Sequence, residues 1–426
     1  MWRLVIVLSL YLSLLARTAY AQVNACLVGD ANNDGKITLS DYSVWRTAFI
    51  SKNPVPISPT TGTTTLINIK DYGARGDDTV DDTTAIQSAL NAANPGETVI
   101  VPIGIYLQTN TIDIPSGITL KAEQAGATIK ATNPDKQAIY LRGRDSAIVG
   151  MTLTSTATVR RESDWHHRIV LEHSTGTRVL NNIVDGGSAA GIFATHATNY
   201  QIIGNTVKNT LADAIHNTNQ SSYGEVRDNI VDTSGDDGVA VVSYIKDGGY
   251  THHIAVTHNS ITSPKARGIS VVGGTNVTID NNSITHTRAA GMYIASEDSY
   301  QTYAAKDVTA TNNTIDQSNY ETTIEHAGIF ISGRDGTANL DTGAIVNFIN
   351  ERIRFDHNTI KNTLAKNWHI ALLRPFSNHI SILNTTIIGD AAKTPMLIDV
   401  PAAQYNTQGN TFNGVQLPSH LGDPSF

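Results

Sequence analysis

Two short sequence steps, repeated in alternation along most of the chain, constrain its fold more than any other feature. The first is an Asn-x-(Ile/Val) step, read at Asn182-Ile183-Val184, Asn205-Thr206-Val207, Asn229-Ile230-Val231, Asn259-Ser260-Ile261, Asn282-Ser283-Ile284, Asn313-Thr314-Ile315 and Asn358-Thr359-Ile360. The second is a Gly-apolar-x step, read at Gly191-Ile192-Phe193, Gly238-Val239-Ala240, Gly268-Ile269-Ser270, Gly291-Met292-Tyr293 and Gly328-Ile329-Phe330, with Ala214-Ile215-His216 as the variant. Where no insertion intervenes, equivalent residues lie 23 or 24 positions apart. A period of that size with only short strands marks a solenoid, because one turn cannot bury its own apolar residues and must stack on its neighbours. Stacking puts equivalent residues into columns roughly one strand spacing, ~4.8 Å, apart. Functional residues can therefore be sought by column.

The repeat argues for one long domain within the 426 residues rather than the several that length alone suggests. Residues 1–21 stand apart: Arg3 precedes an apolar run from Leu4 to Ala16, and Ala19-Tyr20-Ala21 offers small residues for cleavage, the pattern of an export signal. The run is shorter than the ~20 residues that span a bilayer, so no membrane span is expected and the protein is read as secreted. Without Arg3 and Arg17 the formal charge falls from -8 to -10, which argues against a nucleic-acid partner held by phosphate neutralisation. Cys26 is the only cysteine, so no intrachain disulfide is available.

Within residues 22–50, Asp30, Asn32, Asp34, Gly35, Lys36, Thr38 and Asp41 match a calcium loop. Side-chain oxygens fall at positions 1, 3, 5 and 12, glycine at 6, and the Lys36 carbonyl is the seventh-position ligand. Tyr42, Trp45, Ala48 and Phe49 follow at helical spacing. The segment resembles one half of a dockerin module, which implies bound Ca2+ and a cohesin-like or cell-surface partner. Complete dockerins carry two such halves, and one is found here. Residues 51–65 (SKNPVPISPTTGTTT) have the composition of an exposed linker.

The large domain, residues 66–426, opens with a predicted helix from Thr83 to Ala93, capped by Asp82 or Thr84, that can cover an otherwise open strand edge. Strands are predicted at 98–101, 103–108 and 117–121. The segments Asp71-Tyr72-Gly73-Ala74-Arg75-Gly76-Asp77, Asp82-Thr83-Thr84-Ala85-Ile86-Gln87 and Val101-Pro102-Ile103-Gly104-Ile105-Tyr106 resemble, in order, the start of the pectate-lyase-like superfamily. The resemblance implies an all-β right-handed parallel β-helix, and leaves the reaction open, because that superfamily includes hydrolases, lyases, epimerases and tailspikes.

Alternation within the second step points Ile215, Val239, Ile269, Met292 and Ile329 into the core and sends Phe193, His216, Ala240, Ser270, Tyr293 and Phe330 outward. Just before these strands runs a turn column of Ala190, Asp213, Asp237, Arg267, Ala290 and Ala327. Its polar members fall on successive turns, so Asp213, His216, Asp236, Asp237 and Arg267 are expected to form one patch. Adjacent carboxylates repel, which raises the pKa of at least one and lets a single site hold both an acid and a base.

The same residues resemble the family-28 glycoside hydrolases, the polygalacturonase and rhamnogalacturonase group. Asp213-Ala214-Ile215 sits where that family has D-G-I, Gly235-Asp236-Asp237-Gly238 resembles G-D-D-C, and Arg267-Gly268-Ile269-Ser270 resembles H-G-I-S. The resemblance implies an inverting hydrolase, with Asp237 as general acid and Asp213 and Asp236 activating water. It departs from the family at Arg267, which replaces histidine, and at Met292-Tyr293-Ile294-Ala295, which replaces the uronate-binding R-I-K. Pectate lyases of the same superfamily use arginine beside aspartate-bound calcium, so a calcium-dependent lyase or uronate epimerase, with Arg267 as base and a second Ca2+ in the cleft, is the runner-up. A non-catalytic glycan-binding or tailspike-like protein is the third reading. All three take an acidic polysaccharide as partner.

Insertions at 243–253, 296–306 and 333–350 lengthen single turns and are expected to wall the cleft. Tyr244, Tyr293 and Arg168, with neighbouring Arg160, Arg161 and Trp165, are the candidate substrate-binding residues, by stacking and carboxylate pairing. The histidines lack metal-ligand spacing. Asn181, Asn205, Asn229 and their equivalents read as structural, tolerating left-handed backbone and bonding to the turn above.

Overall fold

The computed structural model describes residues 66–422, except 335, 340–344 and 374–376. The proposed signal, calcium loop (Asp30, Asn32, Asp34, Lys36, Asp41) and linker lie outside the described residues. The described part is an all-β parallel solenoid of about 12 turns, built from sheets of 13, 14 and 11 strands. Apart from the ends, each turn contributes one strand to each of these sheets in fixed order. A representative turn runs Arg178–Leu180, Ile183–Asp185 and Ile192–Thr195, and pairs with Gln201–Ile203, Thr206–Lys208 and Ile215–Thr218 of the next.

The Asn-x-(Ile/Val) step is the corner between the first two sheets. Asn182, Asn205, Asn229, Asn259, Asn282 and Asn313 each donate a main-chain N–H to the side-chain Oδ1 of the asparagine one turn on, at 2.9–3.0 Å, and Asn358 closes the series. Their Nδ2 groups bond to the same Oδ1 and to a main-chain carbonyl of the preceding turn, as Asn229 does to Asn259 and Ile202. These side chains are buried, so the ladder satisfies main-chain groups that a corner would otherwise orphan. Left-handed backbone falls on the residue before each rung, such as Asn181, Asp228, His258 and Asn281, rather than on the rung itself. The two asparagine roles therefore belong to adjacent positions.

The Gly-apolar step exists because successive turns approach closely. A Cβ on Gly238, Gly268 or Gly291 would sit 2.5–2.8 Å from a carbonyl oxygen of the next turn. The apolar residue that follows enters the core, where Ile215, Val239, Ile269, Met292 and Ile329 have no exposed surface. The outward column is also covered. Ala240, Tyr293 and Phe330 pack with Val242, Val272 and Ala295 into a second apolar layer outside the solenoid, and Phe193 packs with Tyr140 and Val170.

A helix, Thr83–Ala92, buries Ile86, Ala89 and Leu90. Its Gln87 amide bonds to both the N–H and the C=O of Asp113, at 2.8 and 2.9 Å. Asp113 lies on Ile112–Ile114, the edge strand of the 11-stranded sheet, so a side-chain amide occupies two of its edge groups. Asp82 does not cap the helix with its side chain. Its carboxylate accepts from Arg75 N and Gly76 N, and Asp81 Oδ1 accepts from Thr83 N at 3.0 Å. Strands at Thr98–Val101, Gly104–Gln108 and Thr119–Ala122 follow the expected positions within two residues.

Candidate active site

The 11-stranded sheet carries the site. Register pairs His216 with Ala240, Ala240 with Ser270 and Ser270 with Tyr293, and the turn before each strand presents Asp213, Asp236-Asp237 and Arg267 on successive turns. Asp213, Asp236 and Asp237 come together, with one carboxylate oxygen from each lying within 4.8 Å of the others.

Asp213 is fully engaged. His216 Nδ1 lies 2.5 Å from its Oδ2, and its Oδ1 accepts the Asp237 main-chain N–H at 2.8 Å. An ionised carboxylate accepts only, so this contact places the His216 proton on Nδ1. Burial alone would raise the Asp213 carboxyl, but the bond and charge of His216, the Asp237 N–H and Arg267 together hold it below its ordinary value. His216 is braced from behind by Phe193, its ring stacked at 5.3 Å, and Phe193 in turn by His167 at 3.9 Å.

Asp237 is the most enclosed of the three, with 5% of its side chain exposed. Its Oδ1 accepts the Arg267 main-chain N–H at 2.9 Å and faces Arg267 Nε at 3.1 Å, and its Oδ2 accepts from Ser270 Oγ at 2.6 Å. Burial pushes the carboxyl up to about 7; the Arg267 charge opposes that, the Asp236 and Asp213 charges add to it, and the Ser270 bond opposes it. Asp236 is 30% exposed and holds Arg160 Nη1 at 2.8 Å. Burial and the Asp213 charge raise it against the pull of Arg160 and Arg267. Two carboxyls this close titrate as a pair, so the upshifted proton belongs to Asp236 and Asp237 jointly.

Arg267 is committed on three sides. It pairs with Asp237, lies 3.6 Å from Glu297 Oε1, and places its guanidinium 4.7 Å from the centre of the Tyr293 ring. Burial would lower its pKa, but Asp237 and Glu297 outweigh that and raise it. Tyr293 is buried beneath the guanidinium and stacks on His326 at 5.2 Å. Tyr244 opens the insertion at 243–253, which pairs with the insertion at 296–306 through Ile245 N to Gln301 O and Tyr303 N to Ser243 O. Burial, then the charges of Asp213, Asp247 and Glu297, raise the Tyr244 hydroxyl, so it borders the same acidic group.

Arg168 is elsewhere. It has no exposed surface, and its guanidinium donates to the Gln137 and Ile129 carbonyls at 2.7 and 3.0 Å. The expectation that it binds substrate is corrected here: Arg168 stands in the turn just before Ile169, where Gly191 and Ala214 stand on the following turns, and is buried there, while Arg160 is the residue of that segment that reaches the patch.

A cavity of about 420 Å3 opens beside Asp236, with Arg160, Lys265, Arg267, Arg288 and His326 on its walls. Asp236 is the one acid of its lining. Glu297, Lys265 and Arg288 were not singled out from sequence. The available signal was positional: Lys265 and Arg288 each stand two residues before the turn column, and Glu297 lies in an insertion expected to wall the cleft. Guanidinium groups already face two of the three aspartates, Arg160 at Asp236 and Arg267 at Asp237, which opposes a cation bound between them.

The described residues thus form a parallel solenoid with carboxylates clustered beside a cavity whose walls carry cations. The chain belongs to the family described as Rhamnogalacturonase A/epimerase, pectate lyase-like, which matches residues 66–293, more than half of its length. An exo-poly-alpha-D-galacturonosidase of Dickeya chrysanthemi is 34% identical over 121 residues, 26% of this chain and 20% of that protein. The matches span a fifth or less of the length of the curated relatives. The hyperthermoactive exopolygalacturonase of Thermotoga maritima superposes with a TM-score of 0.65 at 14% identity, covering 84% of this chain and 95% of that one. The A-module of an Azotobacter vinelandii mannuronan C-5 epimerase gives 0.58 at 17% identity, covering 82% and 100%. At these identities the likeness is one of fold. Among the described residues no helix is long and apolar enough to cross a membrane.

Proposed function

We propose that this protein is a secreted glycoside hydrolase acting on a polysaccharide that contains uronic acid, with the three aspartates as its catalytic wall. One observation carries the reading: three carboxylates have oxygens within 4.8 Å of one another, and one of them, Asp236, lines a cavity whose other charged groups are all cations. Repulsion and burial keep one proton on the Asp236–Asp237 pair near neutral pH, while Asp213 stays ionised. That provides an acid and a base together.

The resemblance assigns the acid to Asp237, but access favours Asp236, which lines the cavity while Asp237 is enclosed. Asp236 hands the shared proton to the glycosidic oxygen as the bond to the anomeric carbon breaks. Asp213, held by His216, accepts a proton from the water that attacks that carbon, with Asp237 beside it. The oxygens lie closer than the ~6.5–9.5 Å usual for the two carboxyls of an inverting pair. Burial supports inversion nonetheless: Asp213 and Asp237 are recessed and hydrogen-bonded through both oxygens, so water rather than carboxylate reaches the sugar.

Arg267 is a poor candidate for the base of a lyase, since a base must be neutral and its acidic neighbours stabilise the cation. The test is an assay on pectins, rhamnogalacturonan and alginate, recording new reducing ends and the ultraviolet absorbance of unsaturated uronates, with and without chelator. Reducing ends without that absorbance support hydrolysis. Absorbance that vanishes with chelator overturns it in favour of a calcium-dependent lyase. We further propose that the 30–41 loop binds Ca2+ and serves attachment to a cohesin-like or cell-surface partner. Calorimetric titration of the full chain with calcium, compared with D30A/D34A, tests the binding, and equal heats sink it.

A further inference from the structure

We infer that Lys265 and Arg288 form a carboxylate-binding clamp that seats one uronate unit of the substrate in the cavity beside Asp236. The inference rests on the hydrolase reading for its substrate class, but its residues lie outside the catalytic wall.

The two cations occupy equivalent places on neighbouring turns. Lys265 stands two residues before Arg267, and Arg288 two before Ala290. Main-chain bonds lock the turns together there, Arg288 N to Pro264 O at 3.2 Å and Gly268 N to Ala290 O at 3.1 Å. Equivalent positions lie about one strand spacing, ~4.8 Å, apart. Both side chains are exposed, so both charged ends are free to turn toward the cavity they line. Among the described residues no carboxylate approaches within 4 Å of either. Every ion pair there belongs to other cations; Glu321, whose main-chain N–H donates to the Arg288 carbonyl at 3.1 Å, gives its carboxylate to Thr323 instead. In a chain of formal charge -8, two stacked cations left unpaired on a cavity wall form a site prepared for an anion.

The other cations near the cavity are already used. Arg267 is held by Asp237, Glu297 and Tyr293, and Arg160 by Asp236 and Glu162. His326 lines the same cavity as a rigid wall, its ring fixed between Tyr293 at 5.2 Å and Phe330 at 4.4 Å. The strand position that carries a cation in the resembled family holds Tyr293 here, so the clamp has moved from the strand face to the preceding turn.

The test is equilibrium binding of trigalacturonate and of trimannuronate, each beside its fully methyl-esterified form, to the full chain carrying D236N to prevent turnover. In that background K265Q/R288Q should weaken binding of the preferred acid oligomer by roughly 100-fold, about tenfold for each charge-assisted bond lost, and should flatten its salt dependence. Binding of the ester should not change. K265R/R288K, which keeps both charges, should stay close to the parent and so separates lost charge from lost fold. The clamp is overturned if K265Q/R288Q binds the acid as well as the parent, if acid and ester bind the parent alike, or if the parent binds neither acid oligomer. Clamp-dependent binding without hydrolysis by the unmodified protein would sink the hydrolase reading alone. Hydrolysis that K265Q/R288Q leaves unchanged would sink the clamp alone.

Discussion

Ser270→Ala probes the proton store directly. Ser270 is buried, donates to Asp237 Oδ2 at 2.6 Å, and sits in register with Ala240 one turn earlier, so alanine fits the column without strain. The hydroxyl stabilises the ionised carboxylate. A hydrogen bond to a charged group is worth ~1.5–3 kcal/mol, and ~1.4 kcal/mol is one pH unit. Arg267 continues to hold Asp237 through its main-chain N–H and guanidinium, so the lower end applies and the Asp237 carboxyl, now pushed up to about 7, should titrate about one unit higher. The active form requires that pair to be singly protonated and Asp213 to be ionised. The alkaline limb of kcat/KM against pH should therefore move up by about one unit while the acid limb, set by Asp213, stays in place. An alkaline limb that does not move, or that moves down, refutes the idea that Asp237 shares the catalytic proton.

Other consequences are separable from this one. Asp213→Asn should destabilise the fold by ~1.5–3 kcal/mol at neutral pH, because the bond to His216 holds the folded carboxyl below its ordinary 3.8. A depressed carboxyl stabilises above its unfolded pKa and loses that contribution as pH falls through the folded one, so melting curves of variant and parent should converge in acid. Asn229→Ala should cost ~3–5 kcal/mol in urea unfolding, since it strands the Asn205 N–H and the Ile202 carbonyl in the core; a loss below ~1 kcal/mol would mean the ladder is dispensable. Arg168→Met should change the unfolding midpoint and leave KM for polysaccharide unchanged, and a raised KM would restore the substrate role that its burial argues against.

Much of this architecture can be read from period alone. Spacing of 23 or 24 residues, with asparagine at one corner and glycine before the core residue, specifies a stacked solenoid, and column reasoning brings Asp213, Asp236, Asp237, His216 and Arg267 into one patch. Columns order residues along the solenoid and do not report what covers them. Phe193, Tyr293 and Phe330 point outward as alternation requires, yet they are buried, packed against residues of the same outer face on neighbouring turns. Arg160 is 76 residues from its partner Asp236, and Glu297 reaches Arg267 from an insertion, so neither contact has a periodic signature. Arg168 shows the opposite failure: a lone arginine in a basic run resembles a binding residue, and the turn that buries it, just before the core residue Ile169, has no signature in strand alternation.

The central claim is that the aspartate wall directs water, rather than a carboxylate or a base, at the substrate. Proton NMR of the first products released from an oligogalacturonide or another uronate oligomer that the protein turns over tests it most directly. The account predicts a saturated reducing end whose anomer is inverted at the earliest time points, and no such product from Asp236→Asn. A retained anomer would mean that a recessed aspartate reaches the sugar after all. An unsaturated product from the unmodified protein would contradict hydrolysis altogether.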